Sequence, residues 1–209
     1  MQRTRTHQVF YPRRFVRAAD AERYAASIME TNEILKKQAG DLLQNYETLN
    51  GISSVTGSCA LDLMVCPDLD LYVPADQVKN LFGLAEMLYQ NRLTDELYIQ
   101  KGATLGVPEG QHIQVRTNLL SEHAKWKIDL WILPAGAISQ KSAQIDSLNE
   151  RLTDADREQI LELKKQLLQP NGFTPKYSGI HIYRAYLDEG IRELASLKDY
   201  LRSKGISLV

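Results

Sequence analysis

The stretch whose reading decides the fold is Thr56-Gly57-Ser58-Cys59-Ala60-Leu61-Asp62-Leu63-Met64-Val65-Cys66-Pro67-Asp68-Leu69-Asp70-Leu71-Tyr72-Val73. Its residues Asp68 to Leu71 alternate acid and apolar. Successive side chains of a strand point to opposite faces, so Asp68 and Asp70 share one face while Leu69, Leu71 and Val73 share the other. Two carboxylates side by side repel each other and have no evident structural purpose. A divalent cation between them removes the conflict, and oxygen ligands suit magnesium or manganese.

A second stretch, Trp126-Lys127-Ile128-Asp129-Leu130-Trp131-Ile132-Leu133, alternates in the same way. Lys127, Asp129 and Trp131 fall on one face and Ile128, Leu130 and Ile132 on the other. A lone acid in an otherwise apolar strand is costly unless it is paired or liganded. If the two strands are neighbours, Asp129 joins Asp68 and Asp70, and three carboxylates can hold two metals about 3.5–4 Å apart, a spacing suited to in-line phosphoryl chemistry. Upstream, Gly57-Ser58 follows a strand candidate. Glycine lets backbone amides approach a phosphate, and the serine hydroxyl adds a donor.

Working outward, a helical pattern begins near Asp20, a candidate cap, with Tyr24, Ile28 and Leu35 on one face. Gly40 is expected to break or bend it before Leu43, Tyr46 and Leu49, and Asn50-Gly51 closes it. Asp76 to Tyr89 reads as a helix buried through Val78, Leu81, Leu84 and Leu88. Glu96 to Gln100 and His112 to Leu119 read as strands joined through Val107-Pro108-Glu109-Gly110. Beyond Pro134 the pattern is helical, with a capping box at Thr153 to Asp156, a stop at Pro170-Asn171-Gly172, and helices near 178–187 and 191–201. The expected fold is α+β: a twisted mixed sheet with flanking helices over residues 18–135, then a helical region over 136–209. Residues 1–17, with five arginines and no acid, form a basic arm read as a solvated tail packing in part through Val9, Phe10 and Tyr11.

The 209 residues can bury a core without disulfides or structural metal. A net charge of −1 gives no general reason to expect long nucleic acid as a partner, since phosphate backbones are usually met by a basic surface. Cys59 and Cys66 form no Cys-x-x-Cys pair, no apolar run can cross a bilayer, and the N-terminus lacks the apolar segment of a signal peptide. A cytoplasmic protein without membrane partners is expected.

The combination of Gly57-Ser58, nine residues, Asp68-x-Asp70 and a later Asp129 resembles the polymerase-beta-type nucleotidyltransferase superfamily, over about residues 55–133. The chain departs from many members after Gly57-Ser58: Leu61 and Asp62 stand where arginine and glycine are common. The resemblance implies transfer of a nucleoside monophosphate from a nucleoside triphosphate to a hydroxyl acceptor, a small molecule or a protein, with release of pyrophosphate. It implies that Asp68, Asp70 and Asp129 are catalytic metal ligands for Mg2+ or Mn2+, and that Gly57 and Ser58 hold the triphosphate. Lys127 is a candidate phosphate contact. Tyr177, His181 and Arg184, at helical spacings, are expected to face Asp129 across the cleft and to bind nucleotide or acceptor. His112 and His123 receive no role. Two alternatives are a nucleotide-sugar-dependent glycosyltransferase, since Asp-x-Asp also serves such enzymes, and a non-enzymatic binding or regulatory module.

Overall fold

The structure is a computed structural model that describes residues 18–102, 104–121 and 124–208; the basic arm, the side chain of Tyr24 and His123 lie outside the described residues. The alternating acid stretch is strand β2 (Asp68–Pro74), with Leu69, Leu71 and Val73 fully buried. On one side it pairs antiparallel with the short β1 (Ser54–Thr56). On the other it pairs parallel with the second alternating stretch, β5 (Ala124–Leu133). Strands β3 (Thr94–Lys101) and β4 (Gln111–Ser121) form an antiparallel hairpin, and β4 pairs antiparallel with β5. The order β1-β2-β5-β4-β3 makes an open mixed sheet with flanking helices, the expected α+β class.

Alternation gives the sheet two unlike faces. Leu69, Leu71, Val73, Ile113, Val115, Ile128, Leu130 and Ile132 form the apolar one. It is covered by α1 (Ala18–Gln44), through Leu35, Ala39 and Leu42, and by α3 (Leu81–Tyr89), through Leu81, Leu84 and Leu88. The other face carries the acids. A second core joins α4 (Ala135–Arg151), α5 (Asp154–Gln166), α6 (Ser178–Leu187) and α7 (Leu194–Ser203) to Ile28 of α1 and to Leu61, Leu63, Val65 and Cys66. Helix α1 therefore belongs to both cores. No helix among the described residues is long and apolar enough to cross a membrane.

Several local expectations are corrected. Helix α1 runs through Gly40 without a break, because burial of Ala39 and Leu42 outweighs the modest helix cost of glycine. Asp20 lies inside α1 rather than capping it. Helix α3 begins at Leu81, not Asp76: residues Ala75–Gln77 form a 3-10 turn, and the Asn80 side chain caps the helix by accepting from the Phe82 amide. Helix α7 begins at Leu194, because Gly190 adopts a left-handed turn and the Ile191 amide donates back to the Ala185 carbonyl, closing α6.

The expected capping box at α5 is present. The Asp156 amide donates to Thr153 Oγ1 at 3.2 Å, and the Thr153 amide donates to Asp156 Oδ2 at 3.0 Å. Thr153→Ala should therefore cost about 1 kcal/mol, or roughly 2–4 °C in melting temperature. Thermal unfolding followed by circular dichroism checks this.

Candidate metal centre

The connector ahead of β2 decides where the acids stand, and side chains from two helices hold its backbone. The Met64 amide donates to Asn32 Oδ1 of α1 at 2.8 Å. From α5, Arg157 Nε donates to the Leu61 carbonyl at 3.2 Å, and the buried Lys164 ammonium donates to the Leu63 carbonyl and, at 3.1 Å, to the Tyr183 hydroxyl. With the connector pinned, β2 enters the sheet in the register Asp68 opposite Lys127 and Asp70 opposite Asp129.

That register brings the three acids together. One carboxylate oxygen from each of Asp68, Asp70 and Asp129 lies within 4.8 Å of the others. Lys127 Nζ lies 2.8 Å from Asp68 Oδ2 and 2.8 Å from Asp129 Oδ2. Asp129 Oδ1 accepts from Gln114 Nε2 at 2.8 Å and meets His112 Nε2 at 2.9 Å. Asp70 Oδ1 accepts from Trp131 Nε1 at 2.9 Å. Asp68 Oδ1 is buried and has no hydrogen-bond partner among the described residues.

The three carboxylates are not equivalent. Burial opposes ionisation of Asp129, but hydrogen bonds from His112, Lys127 and Gln114 and the Lys127 charge outweigh it and hold its pKa well below the carboxylate range. Asp70 goes the other way: burial, then the charges of Asp68 and Asp129, push it up to about 8. Asp68 is also raised, by burial first and by Asp129, against the pull of Lys127. Burial disfavours the Lys127 charge, yet Asp68, Asp129 and Asp70 prevail and raise its pKa. Burial pushes the Cys66 thiol up to about 11, which removes it as a nucleophile at neutral pH.

Gly57 closes the near side. It has φ +64°, and a Cβ placed there would stand 2.5 Å from Asp70 Oδ2. Position 57 thus needs glycine twice, for its left-handed backbone and for the close approach of the carboxylate. Gly57 and Ser58 open a single helical turn, α2 (Gly57–Ala60), in which the Ser58 carbonyl accepts from the Leu63 amide. In the next turn Asp62 adopts φ 60° and pairs with Lys36 of α1.

The expected substrate-facing set is not assembled as a helical face. Tyr177 precedes α6 in a left-handed conformation, φ 62°, so helical spacing does not carry its ring to the side of His181 and Arg184. It is 56% exposed, with Lys176 over its ring. His181 is half-buried and feels Arg184 and Lys204. Arg184 lines a groove of about 370 Å³ between α4 and α6 with Arg151 and Asp188. No described contact joins Tyr177 or His181 to the acids. Among the described residues of the C-terminal half, Phe173 reaches the site, its ring centroid 5.6 Å from Lys127 Nζ and 5.3 Å from Arg116 Cζ.

His112 and Gln114 carry no role that the sequence alone assigns. The signal was present in the alternation of His112, Gln114 and Arg116 with Ile113 and Val115, but the pairing of Gln114 with Asp129 is visible only once β4 lies beside β5. Compared with known protein families and with curated proteins, the chain matches none.

Two outcomes are expected of the metal-free protein. A carboxyl whose folded pKa is raised favours folding at low pH, and that contribution is lost as pH rises from its unfolded value near 4 through about 8. Asp70→Asn should therefore melt above wild type in chelator, with a gap that opens over that interval and narrows when magnesium is added. A gap independent of pH would contradict the assignment. Gly57→Ala should lose about 1–2 kcal/mol to its left-handed backbone and weaken manganese binding by displacing Asp70, read by paired melting and metal titration.

Proposed function

We propose that this chain is a metal-dependent nucleotidyltransferase of the polymerase-beta type, transferring a nucleoside monophosphate to a hydroxyl of a small-molecule or protein acceptor with release of pyrophosphate. The observation that carries this reading is the convergence of three acids from two parallel neighbouring strands, one of them with a buried, unpartnered oxygen. With all three carboxylates ionised, as a bound cation would favour, they would exceed the single ammonium of Lys127 by two negative charges. Magnesium or manganese fits that charge and that all-oxygen donor set. When bound, such ions neutralise the triphosphate and lower the pKa of the attacking hydroxyl.

The residues then divide the work. Asp68 and Asp70 hold the metal, and Asp129 completes its site. Three donors already favour the charged form of Asp129, which makes it a ligand and a weak proton acceptor rather than a general base. Lys127 offers a cation to the phosphates. Gly57 and Ser58 stand at the wall beside Asp70, where backbone can approach a phosphate. Free Cys59 and Cys66 suit a reducing compartment, and we place the activity in the cytoplasm.

A second reading has an observation of its own. Lys127 bridges two of the acids in the place a cation would take, as a chain that kept the fold as a non-enzymatic nucleotide-binding module would require. Incubation with α-labelled ATP, GTP, CTP and UTP and a metabolite pool, with and without magnesium, separates the two. Transfer of label that needs magnesium and falls by 10²-fold or more in Asp70→Asn and Asp129→Asn supports the enzyme. Metal-dependent nucleotide binding without transfer supports the module. Transfer from nucleotide-sugars instead would identify a glycosyltransferase.

A further inference from the structure

We propose that His112 is a positioning residue of the metal centre, and that its stack on Trp131 locks two of the three carboxylates into one orientation. The proposal rests on the metal-site reading of Asp68, Asp70 and Asp129.

Strand register sets the arrangement. On the acid-bearing face, Gln114 stands opposite Asp129 and His112 opposite Trp131. On the other side of β5, Asp70 stands opposite Asp129 and Tyr72 opposite Trp131. His112 and Trp131 are thus one pleat further along the strands than the acids they serve. The imidazole reaches diagonally to Asp129 Oδ1 at 2.9 Å, and the indole N–H reaches diagonally the other way to Asp70 Oδ1 at 2.9 Å. The two rings lie on each other with centroids 4.1 Å apart and planes 12° apart. Each ring therefore carries one donor to a different acid, and neither can turn without disturbing the other.

The proton positions follow from chemistry. An ionised carboxylate only accepts, so His112 presents Nε2–H to Asp129. Gln114 gives its amide N–H to the same oxygen, while its Oε1 accepts from Arg116 Nε at 3.3 Å, which fixes which way the amide faces. Asp129 Oδ1 is thereby committed to β4, and Oδ2 turns to Lys127 and Asp68. Asp70 Oδ1 is committed to Trp131, and Oδ2 lies against Gly57. With a single oxygen of each acid committed to a ring, the partner oxygens keep a fixed aim. Partners that orient ligands in this way typically govern metal affinity by 10–100-fold.

The test uses the full chain, manganese alone as the probe, and free-ion electron paramagnetic resonance as the readout, with melting temperature measured beside it. His112→Phe keeps a ring to stack but removes the donor. It should weaken manganese binding about tenfold or more with little change in melting. Trp131→Phe should do the same through Asp70. His112→Gln restores an N–H donor and should recover part of the affinity. Because the rings act as one unit, the double Phe variant should lose less than the product of the two single losses. Wild-type affinity in a well-folded His112→Phe would overturn the proposal, and so would equal loss in His112→Phe and His112→Gln. If His112→Phe fails to fold, Trp131→Phe and His112→Gln decide between these outcomes. Absence of manganese binding by the wild-type chain would instead overturn the metal-centre reading itself, and the proposal with it.

Discussion

The parallel pairing of β2 with β5 is the constraint on which the rest depends. It places Asp70 beside Asp129 and Asp68 beside Lys127. Like charges opposed across a strand pair destabilise a sheet. Here the opposition is held by the apolar faces of the same strands, since Leu69, Leu71, Val73, Ile128 and Leu130 are fully buried. A slip of one residue would send all of these side chains to the acid face and the acids into the core. The burial that fixes register is therefore the same burial that compels the carboxylates to meet.

The helical half acts on the site through the backbone ahead of β2. Lys164 and Arg157 of α5 donate to carbonyls of Leu63 and Leu61, and Asn32 of α1 receives the Met64 amide. These are buried or half-buried polar contacts that replace water for groups the connector would otherwise leave unsatisfied. Loosening α5 would release the connector first and the register of Asp68 next. This explains why Lys164 sits 3% exposed beside the buried Ile160, Leu161 and Leu163.

The acids were legible because period-2 alternation needs no knowledge of partners: an acid between buried residues on each of two strands is visible in the chain itself. The capping box at Thr153 was legible for the same local reason. What escaped depends on register or on single backbone conformations. His112 and Gln114 alternate as clearly as the acids do, yet nothing in the sequence says which strand lies beside β4. Spacing puts Tyr177 on one helical face with His181 and Arg184, but its left-handed φ of 62° puts it outside the helix, and spacing loses meaning one residue before a helix begins. Gly40 reads as a breaker from sequence alone, because the burial of Ala39 and Leu42 that holds the helix comes from α1's packing against the sheet.

The sequence also left a gap in positive charge, with no lysine or arginine between Lys37 and Lys79 to meet a triphosphate near Gly57. In the structure cations reach the acid face from later strands. Lys127 of β5 stands opposite Asp68, Arg116 of β4 stands opposite Lys127, and the Phe173 ring lies against both. Asp62, at a position where a glycine is common in the resembled superfamily, is paired with Lys36 of α1. Positive charge is thus supplied across the sheet rather than along the glycine turn. A polyanion approaching Asp70 would then meet Arg116 on the β4 side, opposite Gly57, and Lys127 already set between Asp68 and Asp129.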